Sequence, residues 1–282
     1  MNRVTRHAAS IFVFVAAVTF APYTAAQSDV SDALDAAIGG EHRREQDRAR
    51  DRFRHPKETL ELFGLRPDMT VVEIWPASGW YTDILAPVLR DGGKLYAAQY
   101  GDDPPFEYQQ REMEALEAKL ESRPDVYGDV TRTALDFEPG TTIAPDDSAD
   151  LVVTFRNVHN WFDEGYGPPD AAEIAFRKMY AALKPGGVLG VVDHRWPDPA
   201  TEDPAAANGY VSEERVIRLA EAAGFELAGR SDVNGNPRDT RDHPNGVWTL
   251  PPDLAAPPDQ RAKYVEIGES DRFTLKFTKP GG

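Results

Sequence analysis

The feature that most restricts the fold of this chain lies between Met69 and Tyr100. Met69 to Ile74 (MTVVEI) is a short β-branched run suited to a buried strand, and Trp75 to Gly79 turns the chain. Trp80 to Leu89 then reads as a helix ending at Asp91-Gly92-Gly93, and Lys94 to Tyr100 as a second strand. Strand, turn, helix and strand within about 30 residues make one βαβ unit, whose strands run parallel with a right-handed crossover.

The pattern repeats, as a doubly wound sheet requires. Gln109 to Ser122 is a charged amphipathic helix, Val130 to Leu135 a weak strand, and Ala149 to Phe155 a strong one. Asp170 is expected to cap a helix from Ala171 to Leu183, which ends in Lys184-Pro185-Gly186-Gly187 before a strand at Val188 to Asp193. Ser212 caps a helix closed by Gly224, and Phe225 to Val233 and Arg272 to Thr278 read as two further strands. Ahead of the first strand, His55-Pro56 opens a helix that stops at Gly64. The expected domain spans residues 56–280, with a loop insertion at about 234–271, a length that is more often functional than idle.

The two flanks differ from this domain. Arg3 and Arg6, the apolar stretch Ala8 to Phe20, and Thr24-Ala25-Ala26 form a secretory signal pattern over residues 1–26. The apolar run is shorter than the roughly 20 residues that span a bilayer, so the mature chain is expected to be periplasmic or secreted with no stable membrane anchor. Residues 27–55 form a charged arm in which Glu41 to Arg54 reads as an exposed, solvated helix.

Composition removes whole classes of function. With 31 Lys+Arg against 47 Asp+Glu the formal charge is −16, which repels a phosphate backbone, so a small-molecule substrate is expected rather than nucleic acid. The absence of cysteine excludes disulfides, thiolate metal sites and thiol nucleophiles.

In an open α/β sheet, ligands bind beyond the carboxyl ends of the strands. Those positions hold Trp75 to Gly79, Gln99 to Asp103, Asp136, Arg156 to Trp161, and Asp193 to Trp196. His159, His194 and His243 all fall in loops on this edge, beside Asp193 and Asp242, and a neutral imidazole suits proton removal near pH 7. His159 is the first candidate for a base and His194 the second, with Asp193 fixing the tautomer of His194 or orienting substrate. Arg156 and Arg195 read either as a clamp for an anionic substrate or as partners for surplus carboxylates. Trp161, Trp196 and Trp248 read either as aromatic walls or as packing, and Tyr81 as pocket lining or packing.

Five stretches carry a resemblance. They are VVEIWPASGWYTDILAPVL (Val71 to Leu89), DLVVTFRNVHNWF (Asp150 to Phe162), ALKPGGVLGVVDHR (Ala182 to Arg195), GYVSEERVIRLAEAAGFEL (Gly209 to Leu227) and NPRDTRDHPNGVWTLPP (Asn236 to Pro252). Their order resembles the class I S-adenosylmethionine-dependent methyltransferases, and more closely a secreted bacterial branch of predicted methyltransferases. The resemblance implies an α/β Rossmann-like sheet of seven strands, the last antiparallel, with helices on both faces. It also implies S-adenosylmethionine as cofactor. Glu73 stands at the family's acidic position, Trp75 and Ala77 replace the first two glycines of its loop, and Gly79 remains. Gln99 stands where the family ends its second strand in an acidic residue, and Asp136 and Asn157 follow the third and fourth strands.

Two other readings stay open. One is a metal-assisted enzyme using His159, His194 and His243 with Asp193 or Asp242, although no ligand spacing assigns a metal site. The other is a non-catalytic ligand binder on the same fold. The signal pattern generates a direct test: mass spectrometry of protein from the native envelope should find Gln27 as the first residue, and an intact Met1 terminus in the cytoplasm would overturn export.

Overall fold

The computed structural model describes residues 22–281, so the segment read as a signal peptide lies almost wholly outside the described residues. The elements are α1 (Pro22–Ile38), α2 (Glu45–Arg48), α3 (Asp51–Arg54), α4 (Pro56–Phe63), β1 (Thr70–Ile74), α5 (Thr82–Leu89), β2 (Lys94–Gln99), α6 (Glu107–Ser122) and α7 (Pro124–Tyr127). They continue with β3 (Val130–Ala134), β4 (Ala149–Phe155), α8 (Ala171–Ala182), β5 (Leu183–Trp196), β6 (Val211–Ser212), α9 (Glu213–Ala223), β7 (Glu226–Ser231), α10 (Arg261–Ile267) and β8 (Arg272–Thr278). The predicted strand at Val188 to Asp193 runs longer at its start because the Lys-Pro-Gly-Gly turn keeps pairing. Gly186 N donates to Lys279 O at 2.8 Å, and Lys279 N donates to Gly187 O at 2.9 Å.

Seven strands lie in the order β3-β2-β1-β4-β5-β8-β7, and the two-residue β6 extends the end of β5 off this path. β1 to β5 are parallel, whereas β8 runs antiparallel between β5 and β7. The expected seven-stranded sheet with an antiparallel last strand is thus present. The chain leaves β1 toward β2 and β3 and returns on the other side at β4, so a crevice opens where β1 and β4 end.

Strand alternation distributes the core to two faces. Val71, Leu151 and Val153 pack with Leu34, Leu60, Phe63 and Ile84 of α1, α4 and α5. Val72, Val152 and Val191 pack with Phe176, Met179 and Val216 of α8 and α9. Helix ends follow the sequence in one case and not in another. Ser212 Oγ accepts from Arg215 N at 3.3 Å, and Gly224 closes α9 at φ 107°. Asp170 stands at the N-cap of α8 without capping it, because its carboxylate faces Arg177 at 3.7 Å instead.

The charged segment 41–54 is not a solvated face. Arg43, Asp47 and Arg54 are buried. Arg43 makes a two-pronged contact with Asp51 at 2.8 and 2.9 Å, and the guanidinium groups of Arg43 and Arg54 lie 4.9 and 4.6 Å from the Trp80 ring centroid. Stacking on an indole lets these cations leave water, which hydropathy alone does not register. The 234–271 insertion is likewise ordered around a buried carboxylate. Asp239 accepts from Tyr210 Oη at 3.0 Å, from Asp271 N at 2.8 Å and from His243 Nε2 at 2.8 Å.

One carboxylic acid sits inside the sheet. Glu73 of β1, paired with Ala97 and Val153, is buried and accepts from Thr82 Oγ1 at 2.6 Å. Burial pushes its pKa up to about 7, with Thr82 and then Lys119 pulling it back. The native state therefore holds a proton that the unfolded chain releases near 4.5, and stability falls as pH rises from there through 7. Glu73→Gln should match the parent at pH 4 and exceed it above pH 7, by up to about 3 kcal/mol. Denaturant titrations at both pH values measure this, and an offset independent of pH would refute it.

Candidate functional site

A cavity of about 530 Å³ opens at the carboxyl ends of β1 and β4. The loop after β1 forms one wall. Its backbone is left-handed at Trp75 (φ 41°), Ala77 (φ 55°) and Gly79 (φ 79°). These are the three positions at which the resemblance places glycine. Side chains at the first two cost of order 1–2 kcal/mol each. Neighbours hold the shape: Trp75 N donates to Ala98 O at 2.8 Å, Gln99 Nε2 to Ala77 O at 2.8 Å, and Asn157 Nδ2 to Ile74 O at 2.8 Å. The Trp75 indole turns toward β3, donates to Leu135 O at 2.9 Å, and meets Tyr100 and Trp161 at centroid distances of 4.9 and 5.8 Å.

The six residues expected around a cofactor divide evenly. Glu73, Trp75 and Asn157 line the cavity; Gly79, Gln99 and Asp136 do not. A Cβ on Gly79 would fall 2.8 Å from Leu116 Cδ1, so this glycine serves the packing of α6. The Gln99 amide is spent on Ala77. Asp136 accepts from Lys178 Nζ at 3.2 Å, from Thr141 and from Glu138 N, which makes it an anchor for the loop after β3. Asp102 is exposed and also stands outside the cavity. Tyr100, within the Gln99 to Asp103 stretch, lines the cavity on this side together with Tyr108, Glu112 and Tyr166, which sequence reasoning missed. Tyr100 Oη donates to Glu112 Oε2 at 2.7 Å, and Tyr108 Oη donates to Tyr166 Oη at 2.6 Å.

The opposite wall carries the histidines. β4 ends in Phe155, Arg156 takes a left-handed φ of 61°, and a 3₁₀ turn at Val158–Phe162 presents His159. Asp193 of β5 is fully buried and accepts three hydrogen bonds: from His159 Nδ1 at 2.9 Å, His159 N at 3.1 Å and His194 N at 2.7 Å. A carboxylate can only accept, so Nδ1 of His159 carries a proton and Nε2 is the nitrogen left to act as a base. Asp193 thus orients His159, not His194 as expected. His194 Nδ1 instead meets Ser270 Oγ. The two imidazoles lie 5.1 Å apart, and among the described residues neither Nε2 has a hydrogen-bond partner. Burial, then His159 and Arg156, hold His194 well below its ordinary pKa, so it stays neutral.

His243 does not join them. It pairs with Asp239 and meets the Tyr264 ring at 5.7 Å, away from the cavity, while Asp242 is exposed and bonded to Thr240. The metal reading therefore keeps only His159, Asp193 and His194, whose ligand atoms lie within 4.8 Å of one another. Arg156, Arg272 and Arg54 are close enough to depress the affinity of His194 for a proton, and the same positive field opposes a divalent cation.

The arginines and aromatics also sort clearly. Arg195 is absorbed by Asp232 at 2.6 Å and Glu213 at 3.3 Å, as a partner for carboxylates. Trp161 is core and Trp196 donates to Thr201, whereas Trp248 lines the cavity 6.2 Å from His159. Tyr81 both lines the cavity and stacks on Phe155 at 3.5 Å. Arg50 and Arg54, hidden in the charge run, reach the cavity and hold Glu269 at 2.7 and 3.0 Å. Their spacing of four within a helical stretch is the sequence signal that puts both on one face.

No family model and no curated protein sequence matches the chain. Solved structures do. A S-adenosylmethionine-dependent methyltransferase from Aquifex aeolicus is 17% identical, with 82% of this chain covering 93% of that one at a TM-score of 0.51. The [4+2]-cyclase SpnF is 16% identical, with 92% of this chain covering 96% of that one at a TM-score of 0.54. With the strand order above, these likenesses give the chain the fold of the class I S-adenosylmethionine-dependent methyltransferases.

Proposed function

We propose that the protein is an exported methyltransferase that moves a methyl group from S-adenosylmethionine to a small-molecule acceptor. The observation that carries this reading is the Asp193–His159 pair, whose unpartnered Nε2 opens on the same cavity as the left-handed loop after β1. That loop keeps a glycine-loop backbone at Trp75, Ala77 and Gly79 although two side chains have been added, and Trp75, Pro76, Ala77 and Ser78 all border the cavity. The fit to the cofactor is made by a changed donor set. Glu73 and Asn157 would hold its amino-acid end. With Gln99 engaged, Glu112 and the rings of Trp75, Tyr100 and Tyr108 would receive the nucleoside by stacking and hydrogen bonding.

When bound, the cofactor supplies a methyl group on a positively charged sulfur. His159 Nε2 takes the proton from the acceptor hydroxyl or amine, and Asp193 stabilises the imidazolium that results. His194 remains a neutral neighbour that accepts or donates a hydrogen bond at the acceptor. Trp248 and the insertion cover the histidines from solvent, which strengthens each of these interactions.

The N-terminal signal pattern supports export to the periplasm or beyond, and no helix among the described residues is long and apolar enough to cross a membrane. The formal charge of −16 supports a small-molecule partner over a nucleic acid. Calorimetry with S-adenosylhomocysteine tests the reading directly: saturable binding is expected, and none by the folded protein would sink it. Once an acceptor is found, His159→Asn should lower turnover by about 10²–10⁴ with donor binding nearly unchanged. Unchanged turnover at unchanged melting temperature would remove His159 from the chemistry.

A further inference from the structure

Four guanidinium groups cluster beside the cavity, and three of them, Arg50, Arg54 and Arg156, line it. Arg50, Arg54 and Arg272 contact the single carboxylate Glu269, through Arg50 Nε at 2.7 Å, Arg54 Nε at 3.0 Å and Arg272 Nη1 at 3.1 Å. The side chain of Arg156, the fourth, makes no hydrogen bond and no ion pair among the described residues, and its backbone is left-handed at φ 61°. Arg54 is only 3% exposed, yet its Nη2 is buried with no partner, and Nη2 of Arg50 is in the same state. A buried donor without an acceptor costs about 1–3 kcal/mol, more when charged. A fold that leaves two such donors beside an unpaired arginine has an acceptor missing.

The carboxylates that face this group do not supply it. Both Glu269 oxygens are already engaged, Asp47 is held by Arg44 Nε at 2.6 Å, Glu112 accepts from Tyr100, and Asp253 stands at the exposed rim. Burial, and after it the charge of Arg156, pull Arg54 well below its ordinary pKa, while the four arginines drive Glu269 far below the usual carboxylate range against its own burial. The group is therefore short of negative charge inside a chain whose formal charge is −16.

We propose that Arg50, Arg54 and Arg156 bind the oxyanion of the small-molecule acceptor, a carboxylate or a phosphate, beside the imidazole of His159. The anion would take Arg156 as a forked partner and draw the Nη2 groups of Arg50 and Arg54, buried in its absence, toward it by a turn of their side chains. Fixing the acceptor by its charged end turns its reacting group toward His159 Nε2, and supplies positioning rather than chemistry. Naming the anion as the acceptor rests on the reading of His159 above; the anion site itself does not.

The test uses the whole chain in phosphate-free buffer at low salt, with inorganic phosphate, benzoate and neutral benzamide as probes. One or both anions should bind saturably in calorimetry and raise the melting temperature, which also tells phosphate from carboxylate, and benzamide should do neither. Arg156→Gln, which keeps the backbone and folds without losing an ion pair, should weaken anion binding at least tenfold and leave S-adenosylhomocysteine binding unchanged. Arg111→Gln, on an exposed face of α6, should change nothing. Two results would overturn the proposal: no saturable binding of either anion to the parent, or equal loss of S-adenosylhomocysteine binding in Arg156→Gln, which would assign the arginines to the donor's own carboxylate. Anion binding without any S-adenosylhomocysteine binding would leave the site standing and remove the methyltransferase reading alone.

Discussion

Glu269 is the residue on which the cavity depends. It joins Arg50 and Arg54, more than two hundred residues earlier, to Arg272 at the start of β8. All of these groups leave water, and the desolvation of so many charges is repaid only because one carboxylate serves three guanidiniums. It adds an ion-pair tie to the hydrogen bonds that also hold the N-terminal helices here, from Arg272 Nη2 to Phe53 O at 2.6 Å and from Asn234 Nδ2 to Thr59 Oγ1 at 3.0 Å. With it, a charge run that would otherwise float in solvent becomes a wall of the cavity, and Ser270, the next residue, is placed to hold His194.

The sheet was legible because parallel strands buried on both faces leave β-branched runs. β4 and β8 begin and end where the pattern places them. The histidine site was half legible. His159 follows β4 and Asp193 ends the predicted part of β5, so adjacency in the sheet brings them together. The partner of His194 and the exclusion of His243 depend on how the insertion folds, and that is set by Asp239, a buried hub whose contacts have no local signature. The spacing of Arg50 and Arg54 shows that they share a helix face, but their burial was not legible, for a different reason. Charge patterning treats arginine as a solvated residue, and only the position of Trp80 in space shows where it can be desolvated.

The loop after β1 separates sequence identity from backbone shape. Glycines lower the cost of left-handed residues but are not the only way to obtain them. Here Trp75 and Ala77 occupy that region because strand-end hydrogen bonds and the indole contact to Leu135 outweigh the steric penalty. A comparison that looked only for glycines would find the motif broken, whereas the path of the chain is kept. What has changed is the rigidity of the wall and the chemistry it shows to a ligand: aromatic rings and a protonated-range Glu73 instead of bare backbone and an ionised acid.

The position of β8 carries a consequence for how the molecule is made. β8 follows β7 in sequence yet inserts between β5 and β7, so these two strands are joined only through it. Glu269 and Ser270 come just before that strand and arrive with it. The parallel half of the sheet can form early from contacts close in sequence, but the arginine wall stays unneutralised and His194 unanchored until the segment that leads into β8 has docked.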